Sequence, residues 1–375
     1  MIRLPFPLPR LATPGDTVFG PQSSVALQGL PASHAVLVTG GSLAPETLER
    51  LRSRLKADSV TVVRRPPGEP SLEKLHAMAA ACGGRPPDLV VGVGGGSSLD
   101  AAKLLMVLTE APEIDLGQFA RPFSLPPVHR RCRLALLPTT AGSGSECSSA
   151  ALVTLGEPPH NPAKVAIVSH DLLPDLAVLD PSLLLEIPPP VAAAGLVDAV
   201  THAVEGYLSR VANPLAGALA EKALQMVAEG FPRYRSDPQD LPSILHLQLA
   251  AYLAGLVQNL KGVGACHALA HQLARLNVNH GTANGLCLPA VLEGHRAHGP
   301  SAERLAQLQR AAGIARVEDL LVELQAYGGL PHKLDLNGTD PDTLCADALA
   351  DVCTRFHSVD LTLDDYRRLL QRVAA

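Results

Sequence analysis

The chain has 375 residues, of which 47% are apolar, and a formal net charge of −5. That is too long for one ordinary core and too apolar for wholesale disorder, so two or three packed units are expected. Aromatic residues amount to 3%, with no tryptophan, and no block of Lys or Arg stands out, which argues against a stacking platform and against nucleic acid as a partner.

Seven cysteines are scattered through the chain with no Cys-x-x-Cys pair. An odd, dispersed set in a chain of this size predicts reduced thiols in a cytoplasmic protein. The start, Met1–Arg10, has prolines where a signal peptide needs an apolar helix-forming run. No uncharged apolar run of 18 residues follows, so a soluble chain with no membrane partner is expected.

Short apolar pieces among turns before residue 30, Thr17–Phe19 and Ser24–Leu27, read as edge strands. Strand–helix units then alternate. Ala35–Thr39 is followed by a helix over Pro45–Leu55, Val60–Arg64 by Leu72–Cys82, and Asp88–Gly92 by Ser98–Leu108. Leu134–Leu137 is a fourth strand, and Ala166–Val168 and Leu176–Leu179 are further short ones. Alternation of this kind predicts a parallel sheet covered by helices on both faces. From Val191 onward the pattern is 3.6-periodic and rich in Ala and Leu, with nine helix candidates between Val191–Ser209 and Leu363–Val373. The fold class is therefore an α/β N-terminal domain with a parallel, Rossmann-like sheet, residues 1–182, and an all-α C-terminal domain, residues 183–375.

Two loops in the first domain carry ligand chemistry. Val91–Asp100 reads Val-Gly-Val-Gly-Gly-Gly-Ser-Ser-Leu-Asp, directly after a strand and opening a helix. Glycines let a backbone approach an anion, and a helix N-terminus offers free N–H groups to a phosphate. Gly94, Gly95, Gly96, Ser97, Ser98 and Asp100 are the candidate residues; the plain alternative is a tight turn with no ligand. The third glycine of the ordinary dinucleotide fingerprint is missing, and no Gly-Lys-Ser/Thr follows. The second loop, Pro138–Ser149, offers Thr139, Thr140, Ser143 and Ser148 as hydroxyl donors and should end on the same carboxyl edge of the sheet.

In the helical half, Leu196–Tyr207 holds Asp198 and His202 four residues apart, on one helix face. Alone, such a pair is more often a local hydrogen bond than a metal site. A second stretch, Cys266–Asn284, contains His267, His271 and His280. If the two stretches meet, one carboxylate and three imidazoles could hold Zn²⁺ or Fe²⁺.

Four segments, Gly94-Gly-Gly-Ser-x-x-Asp100, Pro138-Thr-Thr-Ala-Gly-Ser-Gly-Ser-Glu146, Gly195-x-x-Asp-Ala-x-x-His-Ala-x-Glu-Gly-Tyr207 and Cys266-His-x-x-x-His271, stand in order at suitable separations. Together they resemble the iron-containing (group III) alcohol dehydrogenase family, within the dehydroquinate synthase-like superfamily, over roughly residues 15–370. The resemblance implies NAD or NADP on the α/β domain, one divalent metal on the helical domain, a cleft active site, a small alcohol or carbonyl as substrate and a homodimer. By position it makes Asp198, His202, His267 and His280 the metal ligands, His271 a non-ligand active-site histidine and proton relay, and Lys164 a cofactor contact. Three departures stand out. Asn279 replaces the family's usual proline before the last ligand, the His271–His280 spacing is one residue shorter, and Gly40 stands where an Asp accepts the adenosine 2′-hydroxyl in NAD-preferring members. The implied reaction is hydride transfer between nicotinamide and a metal-bound alcohol or carbonyl. Polyol dehydrogenases and maleylacetate reductases are the near alternatives. A dehydroquinate synthase-like lyase or a non-catalytic binding protein are the distant ones.

Overall fold

The computed structural model describes residues 11–128, 131–155 and 163–375; the proline-punctuated first ten residues, His129 and His160 lie outside them. The described chain divides into two compact units, Ala12–Thr140 with Ser145–Glu186, and Ala141–Gly144 with Ile187–Ala375.

The first unit contains β1 (Asp16–Phe19), β2 (Ala32–Thr39), α1 (Pro45–Arg54), β3 (Ala57–Arg64), α2 (Leu72–Ala80), β4 (Leu89–Gly94), α3 (Gly96–Glu110), β5 (Arg133–Pro138), β6 (Ala150–Leu155), β7 (Ala163–Val168) and β8 (Leu176–Leu179). Six strands form one parallel sheet in the order β1-β8-β5-β4-β2-β3. Alternate side chains explain the continuous apolar runs. Val36, Val38, Val90, Leu134 and Leu136 join α2 and α3 on one face. Ala35, Leu37, Leu89, Val91, Val93, Ala135 and Leu137 join α1 on the other. Each fully buried Val or Leu contributes about 1.5–3 kcal/mol relative to exposure, so both faces are closed and the fold is the doubly wound α/β class expected.

Two stretches differ from expectation. Ser24–Leu27 is not a strand but part of a 3₁₀ turn, Ser23–Gly29. Gln22 enters it at φ 64°, and Asp180 accepts from Ser24 N (3.2 Å) and Ser24 Oγ (2.5 Å), taking the donor a sheet ladder would need. Ala150–Leu155, given no element from sequence, pairs antiparallel with Ala163–Val168 as a separate hairpin.

That hairpin is tied to α3 by buried polar groups. Lys103 Nζ donates to Ser148 O (2.8 Å), Ser148 Oγ (3.2 Å) and Ala150 O (2.7 Å). Glu146 is buried beside them, and burial pushes its pKa up from 4.5 to about 7. The unfolded chain then loses this proton near pH 4.5 while the fold keeps it to about 7, so stability falls as pH rises through that window. Glu146→Gln is expected to remove on the order of 2–3 kcal/mol of that fall. Urea unfolding of both proteins at pH 5 and pH 8 checks it.

The second unit is helical: α4 (Pro189–Leu208), α5 (Pro214–Ser236), α6 (Leu241–Lys261), α7 (Ala265–Leu273), α8 (His280–Ala297), α9 (Gly299–Ala311), α10 (Val317–Gly328), α11 (Pro341–Ala350) and α12 (Leu363–Val373). α5 runs on through Gly230 to Ser236. Gly230 lets α6 approach, since a Cβ there would lie 2.7 Å from the His246 ring, and the buried Phe231 and Tyr234 continue its apolar face. α6 is long and apolar enough to cross a membrane, but most of it is buried, and it packs against α4 and α5. Here the strongly apolar helix is a core element.

Candidate functional site

α4 is buried over most of its length, so its Asp198 and His202 point into the helical core rather than to solvent. α7 brings His267 beside them and α8 brings His280. Asp198 Oδ1 lies 3.5 Å from His202 Nε2, 3.6 Å from His267 Nε2 and 3.7 Å from His280 Nε2. Asn284, one turn beyond His280 on α8, aims its amide nitrogen at the same focus. Nδ2 donates to Asp198 Oδ1 (2.8 Å) and lies 3.3 Å from both His267 Nε2 and His280 Nε2.

This donor set fits a divalent metal. A tetrahedral ion with bonds of about 2.1 Å needs donor atoms about 3.4 Å apart, close to the spacings around Asp198. The group that meets the lone pairs here is a positively polarised N–H donor, so the focus favours positive charge. Burial opposes the Asp198 charge, yet His202 and His280 hold its carboxyl far below the usual range. Burial pushes His202 down to about 4. For His267 burial also lowers the pKa, but hydrogen bonds to Asp198 and Glu205 outweigh it and raise it to about 9.

His280 reaches the site through two local features. Asn279 caps α8, its Oδ1 accepting from Gly281 N (3.0 Å) and Thr282 N (3.4 Å), so the helix starts at His280 itself. Gly281 then rests on Ala194 of α4, where a Cβ would collide with the carbonyl oxygen. Gly281→Ala is therefore expected to push His280 off the donor set and weaken metal binding at least about tenfold, the scale of losing one supporting contact. Metal titration of the apoprotein measures it.

Three side chains were given no role from sequence. Glu205, buried on α4, accepts from His267 Nδ1 (2.7 Å), His267 N (3.2 Å) and Cys266 N (2.8 Å), so the ring presents Nε2 to the focus. Asn284 is the second. Asp351 is the third: its Oδ2 accepts from His271 Nδ1 (2.9 Å). His271 is not among the converging donors; its ring stacks on that of His280, 5.4 Å between centroids. The available signal was a buried-type helix carrying an acid three residues after His202.

In the first unit the two polar loops meet. β4 and β5 are in register to Gly94↔Pro138, Thr139 N donates to Gly94 O (3.0 Å), and Thr140 lies against Gly95. Gly94 has φ +149°, and a Cβ there would lie 2.7 Å from Ser98, so the turn demands glycine. Gly96 opens α3, and Ser97 Oγ donates to Glu69 Oε2 (3.2 Å). Lys164 is paired with the same carboxylate, Nζ to Oε1 3.1 Å.

Two of the expected cofactor contacts are buried against other partners, and a third lies in the other unit. Asp100 is buried, accepting from Ser145 Oγ (2.6 Å) and Leu152 N (3.0 Å). Ser148 turns inward to Lys103. Ser143 belongs to the helical unit, its carbonyl accepting from Gln258 Nε2 (2.7 Å). Sequence spacing could not tell on which side of the loop each polar group would fall.

Residues 14–181 match a family profile described as iron-containing alcohol dehydrogenase, and residues 192–374 match Fe-containing alcohol dehydrogenase family, C-terminal. The probable alcohol dehydrogenase EutG of Salmonella typhimurium is 34% identical over 310 residues, 80% of this chain and 76% of that protein. An NADPH-dependent butanol dehydrogenase of Clostridium saccharobutylicum is 26% identical over 97% of each chain. The structure of an iron-containing alcohol dehydrogenase from Thermococcus thioreducens superposes with a TM-score of 0.86, covering 98% of this chain and 99% of that one at 28% identity. Matched along both units by sequence and by fold, the chain belongs to the iron-containing alcohol dehydrogenase family.

Proposed function

We propose that the protein is a metal-dependent, NAD(P)-linked alcohol dehydrogenase that interconverts a small alcohol and its aldehyde or ketone. The observation that carries this reading is the convergence of Asp198 Oδ1 with three imidazole Nε2 atoms, in a chain whose other unit presents a glycine turn and a threonine loop at one sheet edge. When bound, a divalent Fe²⁺ or Zn²⁺ supplies a Lewis acid for the substrate oxygen and the nicotinamide supplies or accepts the hydride.

The chain's own residues do the rest. Asp198, His202, His267 and His280 bind the metal, and Glu205 fixes the His267 tautomer. The free N–H groups at the start of α3 and the Gly94–Gly96 backbone hold the pyrophosphate. The hydroxyls of Ser98, Thr139 and Thr140 are donors beside it, Ser97 lends its backbone N–H while its hydroxyl holds Glu69, and Lys164 adds a cation through its pair with the same carboxylate. His271, its Nδ1 held by Asp351, offers Nε2 as the relay that carries the alcohol proton to water.

The test is metal analysis of the purified protein joined to NADH and NADPH oxidation with a panel of short aldehydes and ketones. Stoichiometric metal with turnover of at least one carbonyl is expected. A metal-loaded protein that binds nucleotide and turns over no alcohol or carbonyl would sink the reading.

A further inference from the structure

The sheet order runs β3-β2-β4-β5, so the direction of winding reverses between β2 and β4. Ligands of doubly wound sheets bind in the crevice at the carboxyl ends of such strands. Here that crevice is bounded by Gly40, directly after β2, and by Gly94–Ser98, directly after β4: a Cβ on Gly40 would lie 3.3 Å from Ser98 Oγ. In dinucleotide sites of this kind an acidic side chain at the end of the neighbouring strand accepts the ribose 2′-hydroxyl of NAD, whereas an arginine there accommodates the 2′-phosphate of NADP. No acid follows β2, where the sequence is Gly40-Gly41-Ser42.

An arginine reaches over the gap from β3. Arg65 N donates to Thr39 O (2.8 Å), which anchors the residue at the end of β2. Its guanidinium is held by Nε to Ser98 Oγ (3.4 Å) and by Nη1 to the carbonyls of Pro66 (2.7 Å) and Gly68. Nη2 lies 4.0 Å from where a Gly40 Cβ would be, and it makes no hydrogen bond among the described residues. The nearby carboxylate, Glu69, is engaged by Lys164 Nζ (3.1 Å) and Ser97 Oγ (3.2 Å). Arg65 and Lys164 against Glu69 leave one net positive charge.

Resting on the dehydrogenase reading and deepening it, we infer that the chain is built for NADP(H): Arg65, spread over the side-chain-free Gly40, receives the 2′-phosphate of the adenosine ribose. A fixed guanidinium with an unmet Nη2 is suited to a phosphate oxygen, and charge-assisted bonds of that kind are the strong ones. A 2′-hydroxyl offers no charge to meet it. Burial lowers the Arg65 pKa somewhat, which Glu69 counters, so the group keeps its charge at neutral pH.

Equilibrium binding to the metal-loaded protein tests this with NADPH, NADH, 2′,5′-ADP and 5′-AMP as probes. NADPH should bind at least about tenfold more tightly than NADH, and 2′,5′-ADP more tightly than 5′-AMP by a similar factor. Arg65→Ala should cut the NADPH/NADH affinity ratio about 10- to 100-fold, Arg65→Lys should restore part of it, and Gly40→Asp should invert it. Equal affinity of the wild-type protein for NADH and NADPH, or a ratio unmoved within twofold by Arg65→Ala, overturns the inference. Should Arg65→Ala fail to fold, the wild-type preference between 2′,5′-ADP and 5′-AMP decides. Tight NADH binding with carbonyl turnover would remove this inference alone, whereas binding of neither nucleotide would remove the dehydrogenase reading with it.

Discussion

Asp198→Ala should yield a folded protein with almost no bound metal and a kcat/KM lower by on the order of 10³-fold or more, the scale of a lost Lewis acid. The magnitude follows from position. Asp198 is the one carboxylate in the donor set, within 3.5–3.7 Å of three imidazole nitrogens. Its removal leaves three buried or partly buried rings with no counter-charge at their focus, and the Asn284 amide loses its shortest partner. Asp198→Asn keeps the shape and discards the charge, so it should resemble the alanine variant in metal content while unfolding closer to the wild-type protein. Metal content by mass spectrometry together with steady-state rates measures both. Full metal and full rate in Asp198→Ala would show that the site lies elsewhere.

Glu205→Gln should weaken metal binding about 10- to 100-fold without touching a ligand. Burial opposes the Glu205 charge, but the hydrogen bond from His267 holds its pKa at about 2, so the carboxylate is ionised and accepts three donors. A glutamine can accept with its oxygen only, and its amide hydrogens would then confront a backbone N–H or His267 Nδ1–H. Leaving one buried donor unmet costs about 1–3 kcal/mol, so the same variant should also lose stability by that amount. Metal competition with a chelator and urea unfolding of the apoprotein separate the two effects. Loss of stability with unchanged metal affinity would make Glu205 a purely structural acid.

Much of the frame was legible because its signals are local. The runs at Ala35–Thr39 and Leu134–Leu137 could be taken as buried parallel strands from composition alone, and parallel strands share a carboxyl edge, which puts Gly94 and Thr139 together. Helical spacing put Asp198 and His202 on one face, but only the second histidine stretch and the family resemblance made them ligands. What escaped reading acts across long separations. Glu205 serves His267 from 62 residues away, and Asp351 serves His271 from 80. Neither spacing leaves a periodic trace. His280 reaches the donor set through a helix cap at Asn279 that starts α8 at the ligand itself, a placement that its spacing from His271 does not announce. Ser148 and Asp100 show the converse: their types suited a nucleotide, but an apolar interior with a lysine in it claimed them first.

The four residues Ala141–Gly144 belong to the helical unit although the chain on either side belongs to the other. A Cβ on Gly142 would lie 2.6 Å from Gly195, Gly144 meets Gly255 more closely still, and Ser143 O takes the Gln258 amide. The helical unit is thus not one continuous segment of the gene product. Residues 187–375 synthesised alone would lack a strap that fits between two of their helices, leaving glycine-lined backbone uncovered on α4 and α6. Cleaving the chain at the 186–187 junction and separating the pieces should cost the C-terminal piece its cooperative unfolding, and adding back a peptide spanning Thr139–Ser145 should restore part of it.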